Sequence, residues 1–379
     1  MEGMELGRNS EGEFGNTASE GSLPEEEQAE LEQEVEILEG KSKPKRKRFR
    51  TGRAQKIHRR GPWGERIHAA FTVLGAFLLL SIISGIITAV FYGTGARGDT
   101  YRDVISSAIA VSNPNTTVSL SSNARVFFRL NLSGRLERQV GSESQDMGSY
   151  SNTLLLGLAG ASQFTWKDPK NAGNYYFQYP DTEQSLAGSR NDGDEWQKLE
   201  MIHEGNVAEA YLSLERLYST DELLKKLEPL NLLPVWFAAD AGQFARQRFT
   251  SSLLGFPYRP IWHADDMKVE NISVEKSGWF STMTSRTISS PAVESYGDGA
   301  LREENFLKTL RLLQQHKRLT ASAASFMELD ESISYLEEHG VQLYGTVVTG
   351  PVKELLKLQE APWISNIRVG EVRLWNWRE

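Results

Sequence analysis

The chain contains no cysteine among its 379 residues. This absence excludes disulfide bonds, thiolate-bound zinc, covalent haem attachment and a thiol nucleophile. An external region of this size in a eukaryotic secretory pathway would usually carry disulfides. The composition therefore fits a bacterial surface better.

Motifs for catalysis are also missing. The six histidines include no H-E-x-x-H pair, and the chain has no G-x-S-x-G elbow and no P-loop. Gly93–Gly98 has the spacing G-x-G-x-x-G, but it follows an apolar run and not a strand, so it does not indicate a dinucleotide site. Ser273 and Lys276 match S-x-x-K, but the companion motifs of that site are absent. We therefore expect no enzyme activity, no cofactor and no metal.

Charge is absent from Ala69 to Tyr92, a run of 24 residues. As a helix this run is about 36 Å long, enough to cross a hydrocarbon core of about 30 Å with some tilt. It is longer than the apolar part of a cleaved signal peptide and begins after 68 residues. The sequence predicts a single transmembrane helix at 67–92 that remains as an anchor.

Basic residues are concentrated immediately before this run. Lys41–Arg66 holds twelve Lys and Arg residues and one acidic residue, whereas Gly93–Asn113 has two arginines offset by two aspartates. Because basic residues beside a span stay in the cytoplasm, we expect the N-terminus inside and 93–379 outside. The residues expected to fix this orientation are Lys45, Arg46, Lys47, Arg48, Arg59, Arg60 and Arg66. Contact with lipid headgroups is a secondary use of this block, and direct nucleic-acid binding is an alternative that we do not favour.

The first forty residues carry thirteen glutamates and one arginine, so this region cannot bury a core. We expect a disordered cytoplasmic arm at 1–66. Within it, Leu31, Val35 and Leu38 share one face of a predicted helix that ends at Gly40. An apolar stripe in an acidic segment suits a groove on a basic partner. The alternative is a solvated acidic tail.

The outer region divides into a predicted N-terminal module at 93–200 and a C-terminal module at 201–379. The first has a predicted strand at Val126–Leu132 and a turn or linker at Gly188–Trp196. The second contains two strand–helix–strand units whose helices share Glu-Leu-Leu-Lys, which is either an internal repeat or a coincidence. Ser219 and Glu222 have the spacing of a helix capping box. The expected fold class is α+β, with a mixed or antiparallel sheet and helices on one face.

One aromatic segment, GFPYRPIWHADD at Gly255–Asp266, is the candidate ligand loop. Its candidate residues are Tyr258, Arg259, Trp262 and His263. Two prolines and several rings could make a rigid wall for a ligand. The same composition also suits a well-packed connection, which we favour.

Four segments resemble the C-terminal module of the sigma-factor-regulator family, single-span anti-sigma factors of Gram-positive bacteria. They are VAEAYLSLERLYSTDELLKKL (207–227), GFPYRPIWHADDM (255–267), YGTVVTGPVKELLKL (344–358) and IRVGEVRLWNW (367–377). The basic segment, the apolar run and the region that follows resemble the N-terminal module of the family. The resemblance covers roughly 45–377.

The resemblance implies an anti-sigma factor that binds an extracytoplasmic-function sigma factor at the inner membrane face and keeps it from RNA polymerase core. The outer region would respond to envelope conditions, and a second membrane co-regulator is a further partner to consider. The family supplies no residue-level binding map, so the sigma-facing role of Leu31, Val35 and Leu38 is our own assignment. Without cysteine, the chain cannot use the His/Cys zinc motif of another anti-sigma class.

Two other functions remain open from the residues. A surface enzyme acting on cell-wall polymers could use Ser273 and Lys276, or Arg259, His263 and Asp265. A ligand-binding surface module with a passive tail is the other, and it leaves the acidic helix unexplained.

Overall fold

A computed structural model describes residues 62–168, 177–180, 192–242, 253–276, 282–324, 326 and 328–375. The predicted sigma-binding stripe and the basic residues from Lys45 to Arg60 lie outside these ranges. Contacts divide the chain into two units, Met1–Glu65 and Arg66–Glu379. The sheets and the cores belong to the second unit.

Helix α1 spans Pro62–Gly93, and the predicted apolar run forms most of it. It is the helix in the described ranges that is long and apolar enough to cross a membrane. A 3-10 turn at Thr94–Ala96 follows, in which Gly95 and Ala96 have φ of 67° and 53°. Helix α2, Arg97–Ser112, continues the chain beyond this kink.

The first sheet is an antiparallel meander. Its strands are β1 (Thr117–Arg125), β2 (Arg129–Val140), β3 (Glu143–Leu155), β4 (Leu158–Ala159) and β5 (Gln163–Trp166). The order is β1-β2-β3, and both β4 and β5 pair with β3. The inward side chains of β2, among them Leu130, Leu132 and Leu136, are almost completely buried.

The rest of the chain forms a second sheet, its helices and a separate hairpin. In chain order the elements are α3 (Asp192–Glu200), β6 (Asn206–Tyr218), α4 (Thr220–Leu227), β7 (Leu233–Ala239), β8 (Gly255–Pro257), β9 (Lys268–Lys276), β10 (Thr282–Ser289), α5 (Gly299–Gln315), α6 (Lys317–Ala323), α7 (Leu329–His339), β11 (Leu343–Pro351), α8 (Val352–Leu356) and β12 (Ile364–Leu374). A second 3-10 turn, Ala264–Asp266, precedes β9, and a third, Lys357–Glu360, follows α8. Strands β9 and β10 pair only with each other among the described strands.

The second sheet has the order β12-β6-β11-β7-β8, and every neighbouring pair is antiparallel. Helix α4 connects β6 to β7 with β11 between them, and α8 connects β11 to β12 with β6 between them. These are two interlocked split βαβ units, the topology of ferredoxin-like folds. The two helices that share Glu-Leu-Leu-Lys therefore occupy equivalent places, which favours the repeat over the coincidence.

The predicted capping box is confirmed at the start of α4. Ser219 Oγ accepts a hydrogen bond from the Glu222 N–H, and the Glu222 carboxylate accepts one from the Ser219 N–H, both at 3.3 Å. Two otherwise unpaired N–H groups of the first helical turn are satisfied in this way. The cap orients α4 so that Leu223, Leu224 and Leu227 are buried.

One hydrophobic core joins α2, the first sheet and the helix-covered face of the second sheet. It includes Ile105, Leu132, Leu212 and Phe306. The opposite face of the second sheet carries a separate aromatic cluster with Tyr211, Trp236 and Tyr344, against which Phe177 packs. The α+β prediction, with antiparallel sheets and helices after an apolar helix, is confirmed.

Two local predictions were wrong over part of their range. Val126–Phe128 forms a turn, and the strand begins only at Arg129. These apolar residues face α1 or the surface, so their hydrophobicity does not reflect a strand. The predicted turn or linker at Gly188–Trp196 overlaps α3, which begins at Asp192 and is held in place by the fully buried Leu199, while 188–191 lie outside the described residues.

Candidate functional site

The candidate site is the contact between α2 and the segment Gly255–Asp266, called the junction loop below. Helix α2 follows α1 after the 3-10 turn Thr94–Ala96, so it joins the apolar helix to the sheets. Its residues Val104, Ile105, Ala108 and Ile109 are fully buried. The helix contacts β1, β8, α5 and α6, and both the meander and the second sheet therefore pack around it.

His263 of the junction loop contacts α2 directly. Its Nε2 lies 3.1 Å from Ser107 Oγ, and its Nδ1 lies 3.7 Å from Asp266 Oδ2. Burial lowers the pKa of His263, although the nearby carboxylates of Asp103 and Asp266 act in the opposite direction. The neutral imidazole is therefore the favoured form in the folded protein.

The carboxylates around His263 have different environments. Burial raises the pKa of Asp103, one helical turn before Ser107. Burial alone would also raise the pKa of Asp266. The Lys308 ammonium and the backbone N–H of His263 instead hold this pKa below its ordinary range. The site can therefore change charge with pH at a contact between the junction loop and α2.

Helix α5 holds the junction loop by hydrogen bonds to its backbone. Asn305 accepts from the Ile261 N–H at 2.9 Å and donates to the Ile261 carbonyl at 2.8 Å. Arg302 donates to the carbonyls of Tyr258 and Glu294, and its guanidinium lies 4.5 Å from the Tyr258 ring centroid. The loop is a well-packed connection.

The four predicted loop residues have different exposures. His263 is buried, Tyr258 and Trp262 are half-buried, and Arg259 is exposed. The Tyr258 hydroxyl donates to the Ser295 carbonyl. Binding of a ligand by this loop stays a prediction.

The residues proposed for a surface enzyme do not form an obvious catalytic group. Arg259 and Asp265 are exposed, and the His263 ring is hydrogen-bonded to Ser107 of α2. Ser273 is exposed on β9, and Lys276 is the last residue of that strand. Within the described ranges, no three His, Asp or Glu side chains are grouped so that they could hold a metal ion.

Asp103 and Ser107 were missed by the sequence reasoning. Their spacing of four residues places both on one helical face, beside the apolar positions of α2. That pattern indicates two polar side chains on one face of a helix that is otherwise buried and apolar. It does not reveal the partner, because His263 lies 156 residues further along the chain.

A second polar cluster, also missed, links the two sheets. Arg138 of β2 and Glu209 of β6 are 4% and 0% exposed, and Nη1 lies 3.5 Å from Oε2. Asn115 donates to the other carboxylate oxygen at 2.6 Å, and the Glu371 N–H donates to Oε2 at 3.3 Å. The available signal was a glutamate between the apolar residues of VAEAYL, Val207–Leu212.

Comparison with known families gives two matches in this chain. The sigma factor regulator C-terminal model matches 199–371, and the sigma factor regulator N-terminal model matches 55–145. The chain belongs to the sigma-factor-regulator family. The N-terminal match includes all of α1 together with α2, β1, β2 and the start of β3, and the C-terminal match runs from the end of α3 into β12.

A curated relative of this sigma factor regulator is the probable anti-sigma-M factor YhdL of Bacillus subtilis (strain 168). The two sequences are 23% identical over 296 residues, which cover 76% of this chain and 74% of the relative. No solved structure matches the chain.

Proposed function

We propose that this regulator is a membrane-anchored anti-sigma factor and not an enzyme. The observation that carries the proposal is the presence of both regulator modules in one chain, with the apolar helix α1 inside the N-terminal match. The similarity to a probable anti-sigma-M factor over three quarters of the chain supports the same function.

Helix α1 crosses the cell membrane once, with the N-terminus in the cytoplasm. The support is the charge distribution: twelve basic residues lie between Lys41 and Arg66, just before the apolar run, and Arg66 is exposed on the first turns of α1. Residues Lys45 to Arg48, Arg59 and Arg60 act with Arg66 to fix this orientation. The same block holds the acidic arm near the membrane surface.

The cytoplasmic arm binds an extracytoplasmic-function sigma factor and keeps it from RNA polymerase core. Leu31, Val35 and Leu38 form the contact stripe, and the arm folds when it binds. A second membrane co-regulator is a further partner of the assembly. The chain itself does not contact nucleic acid directly.

The outer region responds to envelope conditions through α2. This helix is central to the packing of the outer region and is separated from α1 by one kink. A change in how the two sheets pack must therefore change the position of α2. The junction loop, with Tyr258, Trp262 and His263, is the place where a ligand or a pH change would act on that helix.

The test is capture of the host's extracytoplasmic-function sigma factors by the full chain in lipid nanodiscs. Specific retention of one sigma factor is expected, together with its loss in the variant Leu31→Asp plus Val35→Asp. The matched control, Ala29→Asp plus Gln33→Asp, adds the same charge on the opposite helical face and should retain binding. Retention of no sigma factor would overturn the anti-sigma function. Equal binding by both variants would contradict only the assignment of the contact to Leu31, Val35 and Leu38.

A further inference from the structure

Two turns of the first sheet lie together beside α1. Val126–Phe128 connects β1 to β2, and Leu156–Gly157 connects β3 to β4. The Leu156 N–H donates to the Phe128 carbonyl at 3.0 Å, so the turns form one unit. This unit, called the apolar tip below, consists of Val126, Phe127, Phe128, Leu155, Leu156 and Leu158.

Hydrogen bonds fix the apolar tip to α1. The Phe127 N–H donates to Ser84 Oγ at 2.8 Å, and the Phe128 N–H donates to Thr88 Oγ1 at 2.9 Å. The Tyr92 hydroxyl donates to the Phe128 carbonyl at 2.8 Å. Ser84 and Thr88 are buried residues of a helix whose other faces are mostly exposed and apolar. Their hydroxyl groups therefore serve the backbone of the tip.

The position of Ser84 in α1 gives the depth of the tip, on the membrane anchoring proposed above. Arg66 and Arg97 are the charged residues nearest to the apolar run on either side. A helix needs about 20 residues to cross the hydrocarbon. Every 20-residue segment between the two arginines contains Ser84, so Ser84 lies within the hydrocarbon. Phe127 lies at the same depth, because its N–H is hydrogen-bonded to Ser84. Backbone groups at this depth require partners within the protein, which the bonds to Ser84, Thr88 and Tyr92 supply.

The side chains of the tip suit that environment. Five large apolar residues are 37–57% exposed there, namely Val126, Phe127, Leu155, Leu156 and Leu158. They surround a backbone that is already hydrogen-bonded, and they belong to neither hydrophobic core of the part of the chain that the structure describes. Contact with acyl chains removes this apolar surface from water.

Two arginines lie where the apolar tip joins the paired part of β1 and β2. Arg125 and Arg129 are directly opposite each other in the β1–β2 register, at the last pair before the turn. Both are exposed, and in the described ranges neither has an acidic partner. Like charges in opposite positions destabilise a hairpin unless an anion lies between or above them. Lipid phosphates at the membrane surface supply that anion, and long arginine side chains reach them from below.

We propose that the apolar tip is inserted in the leaflet at the C-terminal end of α1, with Arg125 and Arg129 bound to lipid phosphates. The outer region is then held to the bilayer at two points, α1 and the tip. Lipid packing in that leaflet acts directly on β1, β2 and β3, and through them on α2. The bilayer is thus a ligand of the first sheet.

The absence of cysteine allows a direct depth measurement on the full chain. Single variants Phe127→Cys, Leu158→Cys, Leu79→Cys and Ser142→Cys would carry a nitroxide label in vesicles of phosphatidylethanolamine and phosphatidylglycerol. Leu79 is an exposed residue of α1, and Ser142 lies in the β2–β3 turn at the opposite end of the sheet. A nitroxide label in lipid collides mainly with dissolved oxygen, and a label in water collides mainly with a water-soluble nickel chelate.

For labels at residues 127 and 158, the ratio of the oxygen collision rate to the nickel collision rate should be severalfold above the ratio at residue 142. It should be close to the ratio at residue 79. A ratio equal to that at 142, with 79 in lipid, would overturn the insertion and leave the anchoring intact. A water-accessible label at 79 would instead contradict the anchoring itself. Labels at 127 and 158 that are shielded from both reagents would indicate a protein cover and also overturn the proposal. Leu158 makes none of the tip hydrogen bonds, so its variant tests the idea even if Phe127→Cys fails to fold.

The role of the arginines has its own variants. Arg125→Glu plus Arg129→Glu should repel the phosphates and lower the ratio at a Leu158→Cys label severalfold. Arg135→Glu, at an exposed position further along β2, is the matched control and should leave the ratio unchanged. Equal ratios in the double variant and the control would overturn phosphate binding by the two arginines.

Discussion

His263 Nε2 lies 3.1 Å from Ser107 Oγ, and this contact joins the junction loop to the helix that follows α1. Both side chains are buried, and Asp103, Asp266 and Lys308 face the same imidazole. A proton on this ring therefore has to be accommodated at a buried contact. Protonation should lower the free energy of unfolding of the sheets and helices that follow α1.

The first prediction concerns acid. The pKa of His263 is below its ordinary value in the folded protein, so the unfolded chain binds more protons once the pH falls below about 6.5. We expect the free energy of unfolding to decrease from that pH downward, until the folded pKa is passed. Urea titrations of the full chain in detergent micelles, followed by fluorescence, measure the slope.

The His263→Gln variant should lose this part of the slope, because glutamine does not titrate. His203→Gln replaces an exposed histidine and should retain the slope of the parent. The same slope in all three proteins would show that His263 is not the group responsible.

The second prediction concerns the buried ion pair between the sheets. Arg138→Met leaves the Glu209 carboxylate buried and without its charge partner, which should cost about 3–5 kcal/mol in the free energy of unfolding. The double variant Arg138→Met plus Glu209→Leu removes both charges and should recover much of that loss. Urea unfolding of the three proteins measures both differences.

Arg135→Met is the matched control, since Arg135 is an exposed residue of the same strand. Its effect should stay within about 0.5 kcal/mol. A double variant as unstable as Arg138→Met would show that the pair stabilises the interface in a way that apolar residues cannot replace.

The sequence was most informative where the determining contacts are local. The Ser219–Glu222 capping box, β6 and the α4 helix follow from residues a few positions apart, and all are present. The pairings Ser107–His263 and Arg138–Glu209 join residues far apart in the chain, and no local pattern specifies such partners. The sequence therefore predicted only one side of the candidate site, the junction loop, and did not predict its contact with α2.

The turn Val126–Phe128 shows a different cause of error. Three consecutive apolar residues predict a strand when the only available apolar environment is a protein core. Here they lie beside α1, and the hydroxyl groups of Ser84 and Thr88 satisfy their backbone. Apolar sequence beside a long, exposed apolar helix therefore does not have the same structural meaning as in a domain without such a helix.

The third prediction concerns the attachment of the junction loop to α5. Asn305→Ala leaves both the N–H and the carbonyl of Ile261 without partners, which should cost about 1–3 kcal/mol in the free energy of unfolding. Glu304→Ala changes the exposed neighbouring residue and should have little effect. Equal stabilities by urea unfolding would mean that water replaces the asparagine at Ile261.

The fourth prediction concerns the aromatic face of the second sheet, where Phe177 lies over Gly345. A Cβ at Gly345 would be only 2.4 Å from Phe177 Cδ1, and the Phe177 ring is stacked on Trp236 with centroids 6.1 Å apart. Gly345→Ala must therefore displace this ring, at a cost of about 1–3 kcal/mol in the free energy of unfolding. Gly205→Ala, where no atom lies within 4 Å of the added methyl, is the matched control.

A double-mutant cycle separates this clash from any backbone effect of alanine. In the Phe177→Ala background the added methyl at Gly345 has room, so the second substitution should cost much less than it does in the parent chain. Non-additivity of this sign in urea unfolding would place Phe177 on the sheet in solution. Additive costs would mean that the ring does not rest on Gly345, because a substitution can only relieve a clash that exists.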